Sequence, residues 1–347
     1  MKRPLLLPVF FASHRWVAHR AFLTILLLAV GTFFPASGVS AQQRSNIVVG
    51  YSAITAAQST PWIIQEAGLF KKYNLNAHLV YIATTTMAQA IVAGDVQIAQ
   101  NNGPQVVDAV LAGADNVFIG GTTNAFTFYL IVDPEIKTVE DLRGKPIGVT
   151  RLRSSTEFAA RLLFKKFGLD PDKDVKIFQT GGLPESVAAL QSGVVKGALL
   201  SSPADLRARS LGFKELADMA TMGIAFQNSG IVTTRSFLKS HRDTVRRYLM
   251  AYIEGLHIFY TNKKLSMDVI KKYTSTNDPR MLETAYDYAT KVLQRIPYLT
   301  LEGIQTVVDM VAEVNPKARS YKAADFVDSS LLQELEQEGF IKKVWAN

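Results

Sequence analysis

The stretch Ala90-Ile91-Val92-Ala93-Gly94-Asp95-Val96-Gln97-Ile98-Ala99 returns later in the chain as Ala189-Leu190-Gln191-Ser192-Gly193-Val194-Val195-Lys196-Gly197-Ala198. At this constant offset of 99 residues, Ala90, Gly94, Val96 and Ala99 meet Ala189, Gly193, Val195 and Ala198. Continuing without a gap, Pro104, Ala109 and Gly113 meet Pro203, Ala208 and Gly212. Upstream, Phe70-Lys71-Lys72-Tyr73-Asn74-Leu75 reappears as Phe164-Lys165-Lys166-Phe167-Gly168-Leu169. A unit of roughly 65 residues is used twice, which predicts two similar lobes facing one another across a cleft.

Within each copy, strands and helices alternate. The first copy predicts strands at 47–51, 77–82 and 96–99, with helices opening at Pro61, after Thr84-Thr85-Thr86 and at Gly103-Pro104. In the second, strands are predicted at 147–149, 175–178 and 198–200, with helices after Ser154-Ser155-Thr156, at Pro184 and after Ser202-Pro203. This alternation predicts an α/β fold of two parallel-rich, doubly wound sheets with helices on their faces. Apolar stretches at 128–132 and 230–233 bracket the second copy and are taken as a two-crossing hinge. From His241 to Met310 the pattern is helical alone, with Val245, Tyr248, Leu249, Tyr252, Leu256 and Phe259 forming an amphipathic stripe. Such a stripe is far more often core than partner groove. The expected division is a signal peptide at 1–41, lobe I from 42–132 plus 230–347 with a helical C-terminal extension, and lobe II from 133–229.

Charge and composition exclude several functions. The formal charge of the 347 residues is +8, but Lys2, Arg3, Arg15 and Arg20 fall in a segment without acids, leaving 34 basic against 30 acidic residues beyond residue 41. That excess is spread out, whereas nucleic-acid binders concentrate it on one face or tail, so no nucleic-acid partner is expected. Arg15 and Arg20 precede an apolar run at 21–34 and the small-residue signal Val39-Ser40-Ala41, which predicts export with cleavage after Ala41. The run is shorter than the ~17–25 residues of a spanning helix. Absence of cysteine rules out an N-terminal lipid anchor on Cys, a thiol nucleophile and Cys-ligated metal. A chain of this size can build a core without disulfides.

Ligands of doubly wound sheets sit beyond the carboxyl ends of the strands. Here those segments are 52–60, 83–86, 100–103, 150–156, 179–183 and 200–202, together with 124–128 and 226–230 at the crossings. None contains Asp or Glu; they are rich in Ser, Thr, Asn and Gln and hold two cations, Arg151 and Arg153. Inward-pointing helix N-termini favour anions, and Arg can grip a carboxylate or sulfonate with two parallel bonds. A small organic anion or a neutral polar ligand is therefore expected, with Ser52, Gln58, Ser59, Arg151 and Asn228 among its candidate contacts. The hydroxyls have an alternative role as helix caps, and the sequence leaves open whether Arg151 or Arg153 faces cleft or solvent. His78, His241 and His257 stand in no metal-ligand spacing. No nucleophile elbow, P-loop or dinucleotide fingerprint occurs, and Glu185 reads as a first-turn acid rather than a general acid. No enzyme activity, cofactor or metal is expected.

Several motifs in order carry a resemblance: Glu66-Ala67-Gly68-Leu69-Phe70-Lys71-Lys72, Ala93-Gly94-Asp95-Val96-Gln97-Ile98-Ala99, Asp141-Leu142-Arg143-Gly144-Lys145, Gln191-Ser192-Gly193 and Ser201-Ser202-Pro203. With Ser154-Ser155-Thr156 before a helix, they make 47–240 similar to the nitrate/sulfonate/taurine-type solute-binding proteins of bacterial ABC importers. The resemblance implies a two-lobed periplasmic-binding-protein fold, type II-like, that delivers ligand to a membrane permease with a cytoplasmic ATPase. By position it implies ligand contacts at the loop before Pro61, at Thr84 and Thr85, at Gln100, Asn101 and Asn102, at Ser154, Ser155 and Thr156, and at Ser201 and Ser202. Some relatives carry a bulky aromatic where Ser201 stands, which implies a roomier or more polar pocket here. Gly193 is followed by Val194-Val195-Lys196 without the acid common in relatives, a departure that bears on lobe packing. A monomer is expected; the alternatives are an enzyme of the same fold acting on a small heterocyclic or sulfur-containing substrate, and a sensor subunit.

Overall fold

The duplication is repeated bond for bond in the backbone. Val96 N donates to Ala90 O at 3.2 Å, and Val195 N to Ala189 O at 3.2 Å. Ala114 N donates to Ala109 O at 3.0 Å, and Phe213 N to Ala208 O at 3.2 Å. Gly94 (φ 81°) and Gly193 (φ 72°) both adopt the left-handed conformation that ends the preceding helix, where a Cβ would be strained. A computed structural model describes residues 44–346; the expected signal peptide at 1–41 lies outside them.

Ten strands form two five-stranded sheets: β1 (Ser45–Tyr51), β2 (Leu75–Tyr81), β3 (Ile98–Asn102), β4 (Asn116–Ala125), β5 (Tyr129–Val132), β6 (Pro146–Val149), β7 (Lys176–Gln179), β8 (Gly197–Leu200), β9 (Lys214–Asp218) and β10 (Ala225–Thr234). The orders are β2-β1-β3-β10-β4 and β7-β6-β8-β5-β9. In each sheet the first three strands are parallel, and the fourth runs antiparallel to both of its neighbours. The sheets are thus mixed. Their fourth strands come from opposite sides of the second copy: β5 precedes it and β10 follows it.

That exchange moves the crossings relative to the sequence reading. Residues 129–132, expected in lobe I, pair with β8 and β9 of the second sheet, with Tyr129 opposite Leu200. Residues 225–229, expected in lobe II, belong to β10 of the first sheet. The chain therefore passes between sheets after β4 and again after β9. Beside these passages the rings of Phe126 and Phe226 stack with centroids 4.0 Å apart, both fully buried.

The helices are α1 (Thr60–Glu66), α2 (Leu69–Lys72), α3 (Thr84–Ala93), α4 (Gly103–Leu111), α5 (Ser155–Lys166), α6 (Leu183–Gln191) and α7 (Ala204–Ser210). The C-terminal extension adds α8 (Arg235–Ser240), α9 (Arg242–Thr261), α10 (Lys263–Thr274), α11 (Pro279–Val292), α12 (Leu301–Val314), α13 (Ser330–Gln337) and α14 (Phe340–Trp345). The stripe on α9 is core: Val245, Tyr248, Leu249, Tyr252 and Leu256 are buried with Val49, Ile98, Ile119 and Ile231 of the first sheet. Each such side chain contributes about 1.5–3 kcal/mol on leaving water. The extension also reaches the second sheet, where Tyr288 of α11 lies 5.3 Å from the ring of Tyr129.

Candidate functional site

Between the two sheets lies a cavity of about 50 Å³. Its walls from the first-sheet side include Ser52, Thr55, Gln58, Thr84, Asn102 and Thr123, and from the second-sheet side Thr150, Ser154, Ser155, Thr156, Leu183 and Ser201. Thr127, Phe128, Asn228 and Ser229, at or beside the crossings, complete the ring with Ala53 and Ala57. No Asp, Glu, Lys, Arg or His takes part. The space holds roughly three to five water-sized groups.

Four helices begin at this cavity. Thr84 is the first residue of α3, Asn102 the N-cap of α4, Ser154 the N-cap of α5 and Leu183 the first residue of α6. Their N-terminal ends carry partial positive charge and unspent N–H donors, which favour a negative or strongly dipolar guest. Asn102 caps in the usual way, its Oδ1 accepting from Gln105 N at 3.1 Å. The start of α4 is pressed against β10: a Cβ on Gly103 would collide with the carbonyl oxygen of Gln227. Two cavity hydroxyls, Thr123 Oγ1 and Ser229 Oγ, are buried without a protein partner, so their hydrogen-bonding capacity is left for whatever enters.

The expected caps on the other helices are not made by side chains. At α3 the N-cap is Ala83, and the helix starts at Thr84 itself. Ahead of α5, Ser154 Oγ donates to Arg151 O at 2.6 Å, and Thr156 Oγ1 accepts from Thr150 N at 2.9 Å, so these hydroxyls brace the turn. Ser202 likewise turns to Asp205, donating to its Oδ1 at 2.7 Å. Burial raises the Asp205 carboxyl above its usual range, while Ser202 and Arg209 oppose the shift.

Across the cleft the loop after β1 meets the turn before α7. Thr55 Oγ1 and Ala56 N both donate to the carbonyl oxygen of Ser202, at 2.7 and 3.0 Å. Ser201 Oγ donates to Thr55 Oγ1 at 3.2 Å. These bonds join the two sides beside the cavity.

Of the residues singled out from sequence, Ser52, Gln58, Thr84, Asn102, Ser154, Ser155, Thr156, Ser201 and Asn228 line the cavity. Gln100 and Asn101 do not. Both are fully buried in β3, because β10 lies alongside and extends that strand past the expected end at Ala99. Gln100 joins the core, its Oε1 accepting from Tyr252 Oη at 3.2 Å. Ser59 is buried beside α1 with its hydroxyl unpartnered. Thr85 faces a separate open groove between α3 and α4, and Ser202 contributes its carbonyl to the cross-cleft bonds. Arg151 is half-buried outside the cavity; its charge acts on Tyr81, whose hydroxyl pKa is raised by burial and by Glu185 and lowered by Arg151. Arg153 pairs with Asp108. Glu185 sits in the first turn of α6, as read.

Thr55, Thr127, Phe128, Thr150, Leu183 and Ser229 fall inside the segments named from sequence without having been singled out. Thr123 lies one residue outside them, at the end of β4, a strand the sequence reading did not draw; the run Val117-Phe118-Ile119 is the signal for it. Among the described residues no group of three His, Cys, Asp or Glu could hold a metal ion.

The family described as NMT1/THI5 like matches residues 57–264. The chain belongs to that family. Similar solved structures carry the same architecture as this NMT1/THI5-like chain. A protein from Bordetella bronchiseptica RB50 has a TM-score of 0.74 at 18% identity, covering 85% of this chain and 98% of its own. The periplasmic aliphatic sulphonate binding protein SsuA from Escherichia coli gives 0.64 at 18% identity, over 83% and 91%. The periplasmic nitrate-binding protein NrtA from Synechocystis PCC 6803 gives 0.69 at 11% identity, over 85% and 89%. These likenesses bear out the two-lobed periplasmic-binding-protein fold and the resemblance to nitrate/sulfonate-type binding proteins. No curated protein matches the chain.

Proposed function

We propose that this NMT1/THI5-like chain is the substrate-binding component of an ABC importer. In this reading it is exported to the periplasm by cleavage after Ala41 and acts there as a monomer. It captures a small organic anion of sulfonate or carboxylate type between its lobes and presents the closed form to a membrane permease with a cytoplasmic ATPase. The observation that carries the proposal is the cavity itself: a space between the lobes lined largely by hydroxyls and amides, with four helix N-termini at its wall and no carboxylate. A cation would meet partial positive charge on every side and find no counter-ion. A small anion meets donors already in place, without the reorganisation that flexible groups need. The family match and the sulphonate- and nitrate-binding roles of SsuA and NrtA support the same reading.

Titration calorimetry of the chain from residue 42 tests it, using methanesulfonate, ethanesulfonate, nitrate, formate and acetate, with tetramethylammonium as cation control. Binding of at least one anion with no heat from the cation is expected. Silence from the anions together with binding of the cation would overturn the electrostatic argument.

A further inference from the structure

The second cation that the sequence offered for gripping a ligand grips the other lobe. Arg153 Nε and Nη2 donate to Asp108 Oδ2 and Oδ1 on α4 at 2.7 and 2.6 Å, a parallel two-bond pair. Gln105, on the same face of α4 as Asp108, donates from Nε2 to the backbone carbonyl of Arg153 at 2.6 Å. The backbone N–H of Arg153 donates to Glu157 Oε2 on the opposite side of the turn. Arg153 itself has φ 62°, a region that non-glycine residues enter rarely and hold only when their surroundings fix them. The next three residues, Ser154, Ser155 and Thr156, line the cavity, as does Asn102 at the cap of α4. One arginine therefore ties together two walls of the cleft.

We propose that Arg153 is a positioning residue for capture: by joining Asp108 and Gln105 it holds the 150–156 turn closed over the cavity without touching the guest. The cleft is then fastened at two separate places, by Arg153 on α4 and by the bonds of Thr55 and Ala56 to Ser202. None of the atoms in the second fastening bonds to Arg153, so the Ala56 amide reports independently on whether the lobes are together. The proposal rests on the functional reading only in taking the cavity as a ligand site, since closure can be followed with no ligand present.

The experiment uses the ligand-free chain from residue 42. Hydrogen exchange at Ala56 and the radius of gyration from small-angle X-ray scattering are compared for the parent, Arg153→Ala, Asp108→Asn, Arg153→Lys and the exchanged pair Asp108→Arg/Arg153→Asp. Arg153→Ala and Asp108→Asn should each speed exchange at Ala56 about fivefold, the scale of a partly exposed ion pair, and enlarge the radius. Arg153→Lys, which keeps the charge but not the fork, should fall between parent and Arg153→Ala. The exchanged pair should recover part of the protection. Parent-like exchange and radius in both Arg153→Ala and Asp108→Asn would overturn the proposal. If Arg153→Ala loses its fold, the near-isosteric Asp108→Asn carries the test alone. Failure of every anion to bind in calorimetry would remove the functional reading and leave these closure data standing.

Discussion

Two cavity residues separate recognition from stability at the level of single side chains. Ser155 lines the cavity, and the bond from its hydroxyl to Asn228 O is long, at 3.3 Å. Ser155→Ala should therefore weaken binding of the anion selected by calorimetry about three- to tenfold, the worth of a neutral hydrogen bond, and leave the melting temperature nearly unchanged. Asn102 has two tasks, since its Oδ1 also caps α4. Asn102→Ala should lower affinity and also cost about 1 kcal/mol of stability from the lost cap. Calorimetry paired with thermal unfolding checks both, and unchanged affinity in both variants would mean that the guest sits elsewhere. Asp205, 1% exposed below the Ser201-Ser202 turn, governs a pH effect. Its folded pKa is raised by burial above the ordinary aspartate value. Its contribution to stability is thus present in full below that value and is lost as pH rises through the folded pKa. Asp205→Asn imitates the protonated form, so the variant should be at least as stable as the parent at pH 7, with the gap closing toward pH 4. Melting curves of both proteins from pH 4 to 8 decide this, and a gap that widens toward acid would refute it.

Elements built from neighbouring residues were legible in the sequence, and those that depend on distant pairing were not. The duplicated unit places Gly94 and Gly193 at equivalent helix ends, and the strands beginning each copy form where their β-branched runs predicted. Likewise the stripe on α9 packs as core, because a 3.6-residue period survives any tertiary arrangement. By contrast β4 and β9 were not drawn, and β3 was ended three residues early. These strands depend on β10 and β5, which arrive from the other side of a crossing, and strand preference is decided by such partners more than by local residues. The consequence for the site is specific. Gln100 and Asn101 read as loop amides but are strand residues facing β10, whereas Asn102, the last residue of that strand and opposite Ser229, reaches the cavity. Arg153 was legible as a cation near the cleft; its partner Asp108 stands outside every segment that sequence placed there, so nothing local announced the pair.

At the scale of the whole molecule, the proposed function makes closure and binding one equilibrium. The cavity of about 50 Å³ has walls from both lobes, so a guest held there touches both at once and binds a closed arrangement in preference to an open one. Such a ligand can shift the population only by its difference in affinity between the two, and by binding the folded chain but not the unfolded one it must also stabilise the fold. At a ligand concentration one hundred times the dissociation constant the gain is about 2.7 kcal/mol. For a folded body of this size, with about 2 cal/mol/K of unfolding entropy per residue, that gain raises the melting temperature by about 4 °C. A cation or an oversized anion should give no shift. The Arg153→Ala variant should show the same shift only at a higher anion concentration, because part of the binding free energy then goes into closing the lobes. Thermal scans of parent and variant over a concentration series of the selected anion measure this directly. Identical ligand-induced shifts for the two proteins across the series would show that closure and binding are uncoupled.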